Sequence, residues 1–191
     1  LYFEYKLYRA NRTTKINAER FEAFASLNYP PLAESGVHLD FNKELIYTST
    51  QTNKSLIVRK SLNENVVVLK LFPGITKKVV QSILEISGLK GVVLETYGAG
   101  NAPTYPWFLA LLSQAIKSGI HIVNVTQCVG GSVILGHYET SVGLKEIGVI
   151  DGKDMTTESA IAKLMYLLGD EILENNFKSI FEMPLRGEVN S

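Results

Sequence analysis

Gly91-Val-Val-Leu-Glu-Thr-Tyr-Gly-Ala-Gly-Asn-Ala-Pro103, an amphipathic segment, and then His121-Ile-Val-Asn-Val-Thr-Gln-Cys128 read as strand, glycine-rich turn, helix and strand. Both strands are apolar runs rather than alternating ones, as strands buried on two faces must be. The turn hangs Asn101 off the carboxyl end of the first strand, the end at which open α/β sheets bind their ligands.

The same rhythm extends outward. Val66 to Phe72 is an apolar run of strand length, broken only by Lys70 and ended by Pro73-Gly74. Thr76 to Ile86 follows with Val79, Val80, Ile83 and Leu84 at helical spacing. The helix after the turn is expected to be capped by Thr104, to tolerate Pro106 in its first turn and to stop at Lys117-Ser-Gly119. Downstream, Ser132 to Gly148 is irregular, with room for a short strand and a helix near Ser141 to Glu146. Val149 to Thr156 reads as a turn before a helix capped by Thr156, with Ala160, Ile161, Leu164, Met165 and Leu168 as its buried stripe. A last helix is expected from about Glu174 to Phe181. Apolar strands alternating with helices define an α/β unit with a parallel sheet.

Before Val66 the texture changes. Leu1 to Tyr8 alternates loosely and could form one strand. Phe21, Phe24, Tyr29 and Leu32 are apolar, but Pro30-Pro31 and Ser35-Gly36 prevent a long helix. This segment cannot close a core alone and reads as the tail of a domain whose body lies upstream. Lys43 to Asn65 is a polar connection with one possible strand at Ser55 to Val58. The resulting division is 1–43 as the end of an N-terminal domain, 44–65 as an interdomain linker and 66–191 as a C-terminal α/β domain. The chain starts at Leu1 without a methionine, so its true beginning is expected to be missing or removed.

Composition narrows the function classes. The 191 residues carry 19 Lys+Arg and 19 Asp+Glu, a balance that argues against nucleic acid as partner. No apolar run approaches about 18 residues, so no membrane span is expected. The single cysteine, Cys128, excludes an internal disulfide framework and fits a reducing compartment.

The possible sites divide between structural and functional readings. Gly98-Ala-Gly100-Asn101-Ala-Pro103 lacks the third glycine and the later acidic residue of a dinucleotide fingerprint. The turn is therefore either a tight turn capped by Asn101 or a mount for an amide aimed into a polar crevice. Thr126 and Gln127 either satisfy loop backbone or face that crevice, and Cys128 reads as a small buried hydrophobe. His38, His121 and His137 have no metal-ligand spacing, so no metal is expected. His137-Tyr-Glu-Thr140 is a polar cluster in a loop. Asp151 to Asp154 resembles the start of a calcium loop but lacks the twelfth-position ligand. The basic patch from Arg9 to Lys15 is either a solvated loop or a packing element of the upstream domain.

Asn11-Arg-Thr-Thr-Lys15, Asn28-Tyr-Pro-Pro-Leu32, the Tyr97 to Pro103 turn, Asn124 to Cys128 and Asp154-Met-Thr-Thr-Glu158 together resemble the bacterial type I, cytoplasmic L-asparaginases. The resemblance covers nearly the whole chain in order and spacing. It implies a flavodoxin-like or Rossmann-like C-terminal domain, hydrolysis of L-asparagine to L-aspartate and ammonia, no cofactor, and a homo-oligomer of intimate pairs, possibly tetrameric. The family's threonine nucleophiles lie in Thr-Gly-Gly-Thr and Gly-Thr-Asp-Thr segments that this chain does not contain. The chain alone is therefore expected to be inactive and to supply inter-subunit substrate contacts. The family's Gly-x-Gly-Asn turn carries a substrate contact over onto Asn101, and the loop from Ser132 to Gly143 offers Glu139 for the substrate ammonium. Some type I members bind asparagine at a regulatory site. The resemblance places Glu95, Thr126 and Cys128 near that site here, and an acidic Glu95 would disfavour an effector carboxylate. Two alternatives stay open: an asparaginase-like subunit of a tRNA-dependent amidotransferase, and a non-catalytic small-molecule or protein binding module.

Overall fold

The structure is a computed structural model that describes residues 1–48, 58–137, 139–169 and 176–190. The possible strand at Ser55 to Val58 falls largely outside them, and Val58 itself carries no regular structure.

The first segment holds six short strands: β1 (Tyr2–Phe3), β2 (Lys6–Leu7), β3 (Thr14–Lys15), β4 (Phe24–Ala25), β5 (Ala33–Ser35) and β6 (Leu39–Phe41). The single strand expected over Leu1 to Tyr8 is instead an antiparallel hairpin, β1 against β2. Glu4 and Tyr5 both take positive φ at its tip, the geometry of a two-residue turn that matches strand twist. A loose alternation of apolar and polar residues does not reveal such a reversal without a Gly or Asn at its tip.

The rest of the chain contains β7 (Val66–Lys70), α1 (Lys77–Leu84), β8 (Gly91–Thr96), α2 (Pro106–Lys117), β9 (His121–Thr126), α3 (Glu139–Glu146), β10 (Ile150–Asp151), α4 (Thr157–Leu168) and α5 (Phe177–Glu182). The sheet is parallel, in the order β10-β9-β8-β7. All six residues of β8 are buried, as the inner position of that strand requires. Strand alternation sorts the core into two layers. Val92, Leu94 and Ile122 face Phe108, Leu112 and Val80 of the α1–α2 side, whereas Val93, Val123 and Val125 face Leu164, Leu167 and Phe181 of the α4–α5 side. Gly91 permits the close approach of α4, since a Cβ there would lie 2.7 Å from Leu164 Cδ2.

Thr76 and Thr156 cap α1 and α4 by accepting from Val79 N and Ser159 N. Thr104 does not cap α2; Tyr105 occupies that position without a side-chain bond, and Pro106 follows it. Val149 to Thr156 is not only a turn, because Ile150 and Asp151 pair with Val123 and Asn124 as the edge strand β10. Two residues are too few for a periodicity to announce. Of the stripe expected on α4, Ala160 and Leu164 are fully buried, but Leu167 and Lys163 take the places expected of Ile161, Met165 and Leu168, which are half-buried.

The basic patch is not a solvated loop. Arg12 is 1% exposed and donates to Asp154 Oδ2 at 2.5 Å, to the Glu188 carbonyl at 2.8 Å and to the Asn28 carbonyl at 3.2 Å. Arg9 donates to the Gly187 and Leu45 carbonyls, and Asn11 to the Arg186 carbonyl. The tail is held on its other side by Lys163, which pairs with Glu188 and donates to the Met183 carbonyl. Residues 183–190 thus form a strap clamped between the first segment and α4.

Burial pushes the Asp154 and Glu188 carboxyls up. The hydrogen bonds to Arg12 and Asn190 N–H, and to Lys163, Leu185 N–H and Arg186 N–H, outweigh it and hold both below the usual carboxylate range. The unfolded chain then binds these protons more tightly, so the strap's contribution is complete above the ordinary carboxylate pKa and is lost as pH falls through the lowered values. Asp151 has the opposite sign. Burial raises it, so its contribution exists in acid and disappears as pH rises through the raised value. With two lowered carboxyls against one raised, the melting temperature is expected to fall steeply below about pH 4. Asp154→Asn should flatten that fall; a wild-type profile level down to about pH 3 would contradict it.

Candidate functional site

At the carboxyl end of β8 the chain turns back on itself. Tyr97 and Asn101 form an isolated bridge, with Tyr97 N donating to Asn101 O at 2.9 Å and Asn101 N to Tyr97 O at 2.8 Å. Gly98 and Gly100 have φ of 49° and 112°, a region closed to most side chains. Gly100 also lies over buried Asn124, where a Cβ would come within 3.4 Å of Nδ2. Asn124 Oδ1 accepts from Thr96 Oγ1 at 2.7 Å, while its Nδ2 has no hydrogen-bond partner among the described residues. The turn therefore rests on a buried Thr96–Asn124 pair supplied by the two inner strands.

Asn101 is half-buried, and its Oδ1 accepts from Thr140 Oγ1 at 2.5 Å. The bond is made by the first turn of α3, the helix that begins at Glu139. The backbone at Glu139 is thereby brought beside the Asn101 turn, and Nδ2 of Asn101 remains as the donor. The polar cluster expected as loop is a helix start at Glu139 and Thr140; Tyr138 lies outside the described residues. Thr140 was legible only as a member of that polar cluster, not as the partner of Asn101, and the Thr96–Asn124 pair escaped sequence reasoning. A buried Thr in a valine-rich strand end was the one available signal.

Glu95, Thr126 and Cys128 come together on one cavity of about 360 Å³, which Lys15, Asn28 and Glu158 also line. Asn101 does not line it. Thr96, beside the turn, faces the α2 layer and donates to Asn124, while Glu95 faces α4 and accepts from Thr157 Oγ1 at 2.6 Å. Lys70 lies 3.4 Å from the other Glu95 oxygen. Thr126 Oγ1 accepts from Cys128 N, and Gln127 Nε2 ties the Leu71 and Glu95 carbonyls together. Asn28 holds the loop wall by exchanging two bonds with the Gly131 backbone and donating a third to the Asp154 carbonyl. Cys128 is exposed, not a small buried hydrophobe, because it lies beyond the end of β9, where the chain leaves the core. His121 stacks on Phe177 with ring centroids 3.8 Å apart, a packing role at the start of β9. Among the described residues no helix is long and apolar enough to cross a membrane.

A parallel sheet with helices packed on both faces defines an α/β domain. The family model described as the glutaminase/asparaginase C-terminal domain matches residues 65–181, and that of the N-terminal asparaginase domain matches residues 1–47. The chain belongs to the glutaminase/asparaginase family. It is 42% identical over 190 residues to the mouse 60 kDa lysophospholipase, covering 99% of this chain and 33% of that protein. It is 40% identical over 189 residues to Escherichia coli L-asparaginase 1, covering 99% of this chain and 55% of that one. The crystal structure of L-asparaginase I from Vibrio cholerae superposes with a TM-score of 0.91 at 36% identity, covering 100% of this chain and 57% of that one. The chain thus spans between a third and somewhat over half of the relatives it matches.

Proposed function

We propose that this chain is the C-terminal part of a cytoplasmic L-asparaginase, which hydrolyses L-asparagine to L-aspartate and ammonia. The observation that carries this reading is the match to L-asparaginase 1 along 99% of this chain and 55% of that one, with the Asn101 turn tied to α3 through Thr140. The two family-model matches support a division into an N-terminal tail (1–43), a linker (44–65) and a C-terminal domain (66–191).

In this reading the nucleophile comes from the N-terminal domain, and this chain binds substrate in a site shared with a second copy. The Thr140 bond fixes the orientation of the Asn101 amide and leaves its N–H₂ to donate to the substrate α-carboxylate. An amide suits that task because it does not titrate. Glu139, at the start of α3, would meet the α-ammonium. The cavity at Glu95, Thr126 and Cys128 corresponds to an effector site. Glu158 and Glu95, the latter paired with Lys70, line it with Lys15, so no net positive charge is available there to draw an amino-acid carboxylate.

The test is steady-state ammonia release by the full-length protein from free asparagine without tRNA, which separates it from the amidotransferase alternative. Lysophosphatidylcholine is run beside it, and a protein that hydrolyses only the lipid would overturn the assignment. Saturation by asparagine should be hyperbolic; sigmoidal saturation would reject the account of Glu95. Asn101→Ala should lower kcat/KM by about tenfold to a hundredfold, the cost of one charge-assisted hydrogen bond. Unchanged kinetics would remove Asn101 from the site.

A further inference from the structure

Asn124 lies on the inner strand β9 and is 0% exposed. Strands on both sides fix its backbone. It is in register with Leu94 of β8 and Asp151 of β10, and its carbonyl accepts from Gly152 N–H at 2.8 Å. Alternation along β9 puts its side chain on the face of Ile122 and beside Leu94, both of which are core residues of the α1–α2 layer. An amide in that company stands where packing alone would favour an apolar side chain.

A buried primary amide offers one oxygen and two N–H donors for pairing. In Asn124 only the oxygen is served: Oδ1 accepts from Thr96 Oγ1 at 2.7 Å, while Nδ2 has no hydrogen-bond partner among the described residues. Burying an unserved donor costs stability, and native proteins hold few of them. Nδ2 is aimed at the glycine turn. A Cβ built on Gly100 would lie 3.4 Å from it and 3.5 Å from Val133 Cβ. The residues around Gly100 are held from elsewhere. The Ala99 carbonyl accepts from Ile134 N–H at 3.1 Å, and Asn101 is bridged to Tyr97 by its backbone and to Thr140 by its side chain. Gly100, with φ of 112°, has the Asn124 amide beneath it.

We propose that Asn124 is a positioning residue for asparagine binding. Its amide, anchored by Thr96, is the seat of Gly100, and so it sets where the next residue, Asn101, presents its N–H₂ to the substrate α-carboxylate. A leucine at this place has a similar branched shape, but its methyl ends are thicker and it cannot hold the Thr96 hydroxyl, so the seat moves. The inference rests on the asparaginase reading, through the role given there to Asn101. A supporting group locked in a rigid strand is what an exact placement of a binding group requires.

The test is steady-state ammonia release from asparagine by the full-length protein and its Asn124→Leu variant, with the melting temperature of each. Leucine removes the unserved donor, and the Thr96 hydroxyl can then donate to the Val125 carbonyl, 3.2 Å away. The melting temperature should therefore not fall, while KM rises about tenfold with kcat within about twofold. Thr96→Val, which strips the anchor from Asn124, should also raise KM, and Thr96→Ser, which puts the hydroxyl back, should reverse most of that rise. Asn101→Ala combined with Asn124→Leu should be no worse than Asn101→Ala alone, because the seat has nothing to position once the donor is gone. An unchanged KM in Asn124→Leu, beside an impaired Asn101→Ala, would overturn this proposal and leave the asparaginase reading standing. Unchanged kinetics in Asn101→Ala, or no ammonia release by the full-length protein, would overturn both. A rise in KM that comes with a lowered melting temperature, or losses that simply add in the double variant, would make Asn124 a packing residue and overturn the proposal alone.

Discussion

Arg12→Met is expected to destabilise the folded protein by about 3–5 kcal/mol, the cost of breaking a buried ion pair from one side. Met matches the length of the Arg12 stem, so the change tests the charged head rather than the packing. Without the guanidinium, the Asp154 carboxylate keeps only the Asn190 N–H and the Glu188 and Asn28 carbonyls lose their donor. The loss matters because folded domains are stable by only about 5–15 kcal/mol in all. Urea unfolding should show a lower midpoint with an unchanged slope. Arg12→Met combined with Asp154→Leu should recover part of the loss, since neither charge is then stranded. A single-variant loss below about 1 kcal/mol would show that the clamp is an exposed-type pair of little consequence.

Lys163→Met should cost a similar amount, about 3–5 kcal/mol, for a related reason. Lys163 and Glu188 have side chains only 4% and 7% exposed, so each depends on the other for its charge. Burial lowers the lysine pKa, while the Glu188 hydrogen bond and charge push it back up. Removing the ammonium leaves Glu188 with the Leu185 and Arg186 N–H groups alone and frees the Met183 carbonyl. Glu188→Gln keeps a side-chain acceptor for one of those N–H groups without the charge. Lys163→Met with Glu188→Gln should therefore be more stable than Lys163→Met by itself. A double variant that is the sum of the two single losses would mean that the groups act independently. Because the strap touches both the first segment and α4, the two substitutions should also raise amide exchange at Asn190, whose N–H is held by Asp154.

The strap shows where sequence reading stopped. Arg12 and Asp154 are 142 positions apart, and Lys163 and Glu188 are 25 apart. Nothing local in Asn11-Arg-Thr-Thr-Lys15 distinguishes a guanidinium bound for a buried carboxylate from one bound for solvent. Lys163 interrupts the apolar run from Ala160 to Leu168 in α4, where the local hint is a cation on a face whose neighbours are Ala160 and Leu167. By contrast β7, β8 and β9 were legible because each is an apolar run bounded by Gly, Pro or a helical period. The edge strand β10 was not, since its two residues owe their conformation to Val123 and Asn124.

The candidate site divides in the same way. Gly98, Gly100 and Asn101 are readable because positive φ demands glycine and a strand end in a parallel sheet is where ligands collect. That Thr140 fixes the Asn101 amide depends on α3 returning to the β8 turn, a contact across 39 positions. The grouping of Glu95, Thr126 and Cys128 was expected by resemblance, and the structure places them on one cavity that Asn101 does not line; neither fact is legible from residues 31 positions apart along the chain, because the two strand ends meet only in the sheet.

By itself, then, the sequence determined what short-range physics encodes: the period of the strands and helices, the glycine turn, the Thr156 cap and the balance of charge. Tertiary structure alone decided which distant charges meet, which cavity each strand-end side chain enters, and where the strap lies. Those outcomes depend on desolvation and pairing between residues that are neighbours only after the sheet has formed.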